Sequence, residues 1–170
     1  MESSVSKTFT LRRITAVGLL VALGTVAAPF SIPVGVAKVY PVQHAINVIA
    51  AVLMGPVPAV VAAILTSTLR NLMGTGTPLA FPGSIFGALM AGFAYLFFKR
   101  VYAAGIGEVL GTGLIGALVA IPLARWILGF EGLAFAFIIP FTLSSIAGAI
   151  LGALILQLWK KSGDIRSRGL

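Results

Sequence analysis

Residues 40–72 read "YPVQHAINVIAAVLMGPVPAVVAAILTSTLRNL", and the fold turns on whether this stretch makes two membrane crossings or one folded-back hairpin. Two apolar runs, residues 41–54 and 57–72, flank the breaker Gly55-Pro56-Val57-Pro58. A helix needs about 20 residues to cross ~30 Å of hydrocarbon, so both runs are short. Each suits half of a re-entrant hairpin, and short, Gly/Pro-interrupted segments often sit beside transporter binding sites. Taking them instead as two tilted spans makes the rest of the chain consistent. Apolar runs between breakers then give six spans, at about residues 11–30, 41–54, 57–72, 83–98, 104–128 and 133–159.

Composition supports that frame. Of 170 residues, 59% are hydrophobic and 9% charged, with a mean hydropathy of +1.09; soluble domains carry roughly 25% charge. The expectation is an all-α integral membrane protein, a six-transmembrane-helix bundle forming a single membrane domain over residues 1–170. Cysteine is absent, which removes disulfides, thiolate metal sites and cysteine nucleophiles. The net charge of +8 comes from Lys and Arg clustered at the ends of apolar segments, a pattern that sets topology and does not point to nucleic acid. With the N-terminus in the cytoplasm, Lys7, Arg12, Arg13, Lys99, Arg100, Lys160, Lys161, Arg166 and Arg168 fall inside, and Lys38, Arg70 and Arg125 outside. Both termini are then cytoplasmic. The stretch "SKTFTLRRITAVGLLVALGTVAAPF" has the basic, apolar, small-residue order of a signal peptide, but its apolar run, residues 14–30, exceeds the usual core of about 7–15 residues. It reads as a retained first span.

Under this topology the start of span two and the end of span three share one side of the membrane. Gln43, His44 and Asn47 form one helical stripe there, at the depth of Arg70 and Asn71. His44 is the chain's single histidine. Polar groups inside a bilayer normally face the bundle or a wet cavity. Interhelical hydrogen bonding, worth about 0.6 kcal/mol on average, explains any one of them; three on a stripe opposite an Arg-Asn pair favour a binding cavity.

The following loop, "RNLMGTGTPLAFPGS", cannot continue a helix. Its amides around Thr75 are able to cradle an anion, although a plain turn explains the glycines as well. Phe81 is a candidate lid over a ring. Trp126, near the outer end of span five, is either an interface anchor or a stacking partner for an aromatic ligand; Trp159, beside Lys160 and Lys161, is an anchor. Span one carries Gly18-x-x-x-Ala22 and Gly24-x-x-x-Ala28, small-residue pairs that pack a protein against itself or against another subunit.

No G-x-x-x-x-G-K-[ST] motif occurs, so ATP binding through a P-loop is excluded. No acidic residue is expected deep in a span: Glu108 is placed near the inner end of span five and Glu131 in an outer loop. Ion-coupled carriers commonly use intramembrane carboxylates, so an external motor is indicated.

The segments "QHAINVIAAVLMGP" and "RNLMGTGTPLAFPGS", within a chain of this size and span count, resemble the ThiW family. The resemblance covers nearly the whole membrane region. It implies a substrate-capture (S) component of an energy-coupling factor (ECF) vitamin transporter in the cell membrane of a bacterium or archaeon. It further implies a transmembrane T component and two ABC-type ATPases as partners, no cofactor, and no enzymatic activity in this chain. S components dock through small residues on their first helix, usually Ala-x-x-x-Ala; here the corresponding positions are Gly18 and Ala22. The implied ligand is a thiamine precursor, hydroxyethylthiazole, with Gln43, His44 or Asn47 pairing its ring nitrogen or hydroxyl. Intact thiamine, a permanent cation, calls for a carboxylate or an aromatic cage that the expected cavity lacks. Arg70 either snorkels to the interface or binds a phosphate or carboxylate. Two rival classes stand beside this one. One is a self-sufficient homo-oligomeric channel or carrier. The other, a small membrane enzyme, suffers from a histidine without a carboxylate partner at its depth.

Overall fold

The computed structural model describes residues 10–34, 37–133 and 135–162. Within them six helices and a short hairpin follow one another: α1 (Leu11–Val26), β1 (Ile32–Val34), β2 (Ala37–Val39), α2 (Pro41–Met54), α3 (Pro56–Leu72), α4 (Ala80–Phe98), α5 (Val101–Leu128) and α6 (Phe135–Lys161). Prolines at the first positions of α2 and α3 start those helices without wasting a hydrogen-bond donor. Between them Gly55, at φ 90°, makes the elbow. The β1–β2 hairpin pairs Ile32 with Val39 and Val34 with Ala37, in a stretch the sequence reading left between spans.

Three helices, α4, α5 and α6, are long and apolar enough to cross a membrane. By contrast α2 and α3, with 14 and 17 residues, are shorter apolar helices. At 1.5 Å per residue they measure about 21 and 26 Å. Their elbow packs where a side chain at Gly92 would strike Pro56. Gly92 lies six residues before the end of α4, so the elbow stops roughly 9 Å short of that helix end. A helix pair this short leaves space at its opposite end, and the loops and hairpin gather there.

The bundle is apolar on its outside and small within. Leu, Ile and Phe side chains such as Leu19, Phe97, Leu118 and Ile150 are exposed, whereas Ala50, Ala51, Ala59, Ala62, Ala88, Ala104, Ala117 and Ala120 are fully buried. Helices in lipid gain nothing from hiding leucine from an equally apolar solvent; they associate by close packing of small residues. Close approach is marked between α4 and α5, where Gly111 meets Gly87, Gly116 meets Gly83 and Gly107 meets Met90. From Gly111 to Gly116, α5 widens into a π-helical segment before resuming α geometry.

Helix directions place Arg12, Arg13, Lys99, Arg100, Lys160 and Lys161 at one end of the bundle and Lys38, Arg70 and Arg125 toward the other. Lys7, Arg166 and Arg168 lie outside the described residues.

Candidate functional site

At the end opposite Lys99 and Arg100, a cavity of about 770 Å³ opens among the ends of α2 to α6 and the β hairpin. Its polar wall begins on α2, where Gln43, His44 and Asn47 project from the same stripe and are all buried. Gln43 and His44 line the cavity, and Asn47 sits behind them.

Behind that wall is a carboxylate. Glu108 of α5 is fully buried, and its Oε1 lies 2.6 Å from His44 Nδ1. Asn47 Nδ2 donates to the same oxygen at 3.2 Å and to the Ser84 carbonyl at 3.2 Å. The Thr112 hydroxyl is 3.0 Å from Oε1 and 2.9 Å from the Gly83 carbonyl, and its one proton serves either. A carboxylate accepting Nδ1–H orients the imidazole and leaves Nε2 for the cavity side. This arrangement needs Gly87, since a Cβ there would meet both Glu108 oxygens at 2.6 Å.

The expectation that no acidic residue lies deep in a span is therefore corrected, and with it the view that His44 lacks a carboxylate partner. The connection between α4 and α5 is only Lys99 and Arg100, so α5 begins at Val101, three residues before the expected start of span five. Glu108 is consequently two turns into its helix, opposite the middle of α4 at Gly87. Shortness of α2 brings His44 to the same depth.

Arg70, at the end of α3, supplies the second polar group, buried to within 1%. Its Nη1 donates to Gln43 Oε1 at 3.2 Å, and its guanidinium carbon lies 3.7 Å from the centroid of the Tyr40 ring. Tyr40 is itself fixed at both ends: its hydroxyl donates to the Thr75 carbonyl at 3.1 Å, and its backbone N–H donates to Ser144 Oγ at 2.7 Å. The Gly74–Thr77 loop closes over Arg70, whose carbonyl accepts the N–H groups of Thr75 and Gly76. Aromatic rings complete the lining. Phe130, Phe137 and Phe141 form a connected cluster with centroid separations of 4.8 and 6.3 Å.

Of the residues expected from sequence, Gln43, His44, Arg70 and Thr75 line one cavity, and Asn47 holds the layer beneath. Asn71 instead ties the loop down, donating to the Ser67 and Thr77 carbonyls. Phe81 is outside the lining, and the aromatic wall comes from the end of α5 and the start of α6. Trp126 points away from the cavity with 86% of its surface exposed, as an interface anchor would. The cavity is not, as expected from sequence, without aromatic rings and a carboxylate: three phenylalanines and Glu131 line it. Tyr40, Ser84, Thr112 and Ser144 are not among the residues expected from sequence, and Glu108 is expected only near a span end; the available signal was Gly107-x-x-x-Gly111, which brackets Glu108. On α1, Gly24 and Ala28 pack inward, Gly24 against Thr66 and Ile46, while Gly18 and Ala22 are exposed with open space beside Gly18.

No curated protein and no solved structure matches the chain significantly. A family model does: that of thiamine-precursor transporter protein (ThiW), over residues 14–162. With most of its length so matched, the chain belongs to the ThiW family of thiamine-precursor transporters.

Proposed function

We propose that the chain is the substrate-capture subunit of an ECF-type importer and that its cavity takes hydroxyethylthiazole. The supporting observation is the convergence of Gln43, His44 and Arg70 with an aromatic cluster around one cavity. A flat heterocycle stacks on phenylalanine, and an imidazole and an amide suit its nitrogen and its alcohol. Arg70 on the wall disfavours the permanent cation of intact thiamine.

In this reading all six helices cross the membrane, the cavity faces outward and both termini are cytoplasmic. The short α2–α3 pair is accommodated by tilt and by local thinning of the bilayer. Energy comes from a T component and two ABC-type ATPases, since the chain carries no P-loop. Docking through Gly18 and Ala22 then reorients the bundle and releases ligand inward. Direct titration of the purified protein with hydroxyethylthiazole, thiamine and the pyrimidine precursor tests the ligand. Hydroxyethylthiazole is expected to bind tightest, and binding of the pyrimidine alone overturns the assignment.

The buried His44–Glu108 pair favours a second reading. Ionisable pairs inside membrane proteins commonly serve proton relays, and a self-sufficient homo-oligomeric carrier needs one. It predicts proton-dependent uptake by the pure protein in liposomes without ATPases; the first reading predicts none.

A further inference from the structure

The Arg70 guanidinium is held on one face and at one nitrogen, and its other two nitrogens are unpaired. Tyr40 covers one face and Gln43 takes Nη1, but Nε and Nη2 are buried without a hydrogen-bond partner, as is Gln43 Nε2. Nε–H and Nη2–H are the two guanidinium hydrogens that point the same way, the edge that accepts two oxygens of one carboxylate or phosphate in parallel. Among the described residues Glu108 is engaged by His44, and no carboxylate lies within ion-pair distance of Arg70. A buried cation is expensive unless paired, and it forms part of the wall of a cavity that also carries three phenylalanines and, toward its loops, Lys38 and Glu131. A snorkelling arginine would carry its head into water, whereas this one is 1% exposed.

We infer that Arg70, with Gln43 beside it, is an oxyanion subsite, so that the cavity prefers a small heteroaromatic ring bearing one short anionic arm over the neutral alcohol. The inference rests on the cavity being the ligand site and refines its substrate class. The ring lies against phenylalanine; Arg70 Nε and Nη2 and Gln43 Nε2 are covered, so the arm reaches them as the side chains over that edge move aside. Stacking on Tyr40 and the bond to Gln43 hold the guanidinium in place before the ligand arrives, which lowers the ordering cost of binding.

The test is titration of the purified full-length protein with hydroxyethylthiazole, its phosphate ester and the corresponding thiazole acetic acid. Hydrogen bonds to charged groups predict that one or both anionic probes bind about tenfold to a hundredfold more tightly than the alcohol; which of them wins distinguishes phosphate from carboxylate as the arm. In Arg70→Gln the preference for the anionic probes over the alcohol should vanish. Arg70→Lys, which keeps the charge but not the fork, should lose most of it. Wild-type protein that binds the alcohol as tightly as either anion overturns the subsite and leaves the hydroxyethylthiazole assignment standing. Binding of none of the three overturns both. Because the wild-type comparison requires no variant, misfolding of Arg70→Gln does not obscure the result.

Discussion

At the scale of single residues, the pairing of His44 with Glu108 organises the most buried polar layer of the protein. Glu108 Oε1 receives His44, Asn47 and Thr112, while Oε2 has no hydrogen-bond partner and rests against Gly87. Breaking such a pair from one side leaves a buried charge uncompensated, at a cost of about 3–5 kcal/mol, whereas removing both partners costs much less. Glu108→Leu and His44→Leu should therefore each lower the unfolding temperature of the detergent-solubilised protein markedly. The double variant should lose less than the sum, with a coupling of about 1–3 kcal/mol. Strictly additive losses would show that the two side chains are neighbours and not partners. Affinity separates function from stability here: His44→Ala should weaken thiazole binding even in those preparations that remain folded.

Between elements, the decisive contact is α4 on α5. Backbone approaches backbone along Gly83, Gly87, Gly107 and Gly111, and Thr112, at the start of the π-helical segment, reaches the Gly83 carbonyl. Extra volume in a packed interior costs about 1–3 kcal/mol. Gly87→Ala should produce a loss of that size and also weaken ligand binding, because Glu108 and Thr112 must move and His44 moves with them. Gly18→Ala is the matched control. Open space surrounds Gly18, so alanine there should leave stability unchanged or raise it by up to about 1 kcal/mol through helix propensity. Equal behaviour of the two variants in thermal unfolding would contradict the close-approach account. The same packing explains why sequence placed Glu108 too near the membrane edge: hydropathy marks where apolar runs lie, but a two-residue α4–α5 connection shifts the helix start by a turn.

For the whole molecule, α1 presents opposite roles on two faces. Its inner face packs through Gly24 on Thr66, and on its outer face Ala22 is exposed and, among the described residues, nothing lies against Gly18. If that face docks on an energising partner, Gly18→Trp should leave thiazole affinity within about twofold of wild type. ATP-driven uptake by the reconstituted assembly should fall at least tenfold, because close approach needs small residues. Unchanged uptake would move the docking surface elsewhere. No residue of α1 lines the cavity, so the two measurements report on separate steps.

Amino-acid sequence by itself determined the membrane character, the helix order and the helix limits to within four residues, because bilayer solvation acts on each segment locally through hydropathy and through Gly and Pro breaks. It also marked Gln43, His44, Asn47 and Arg70, since polar side chains stand out against an apolar background. Only the tertiary structure decided what those residues meet. Glu108 becomes the partner of His44 through the depth at which two helices cross, and the aromatic wall comes from Phe130, Phe137 and Phe141 in place of Phe81 or Trp126. Depth and facing are properties of helix pairs, set by loop length and glycine contacts, and no single segment carries them.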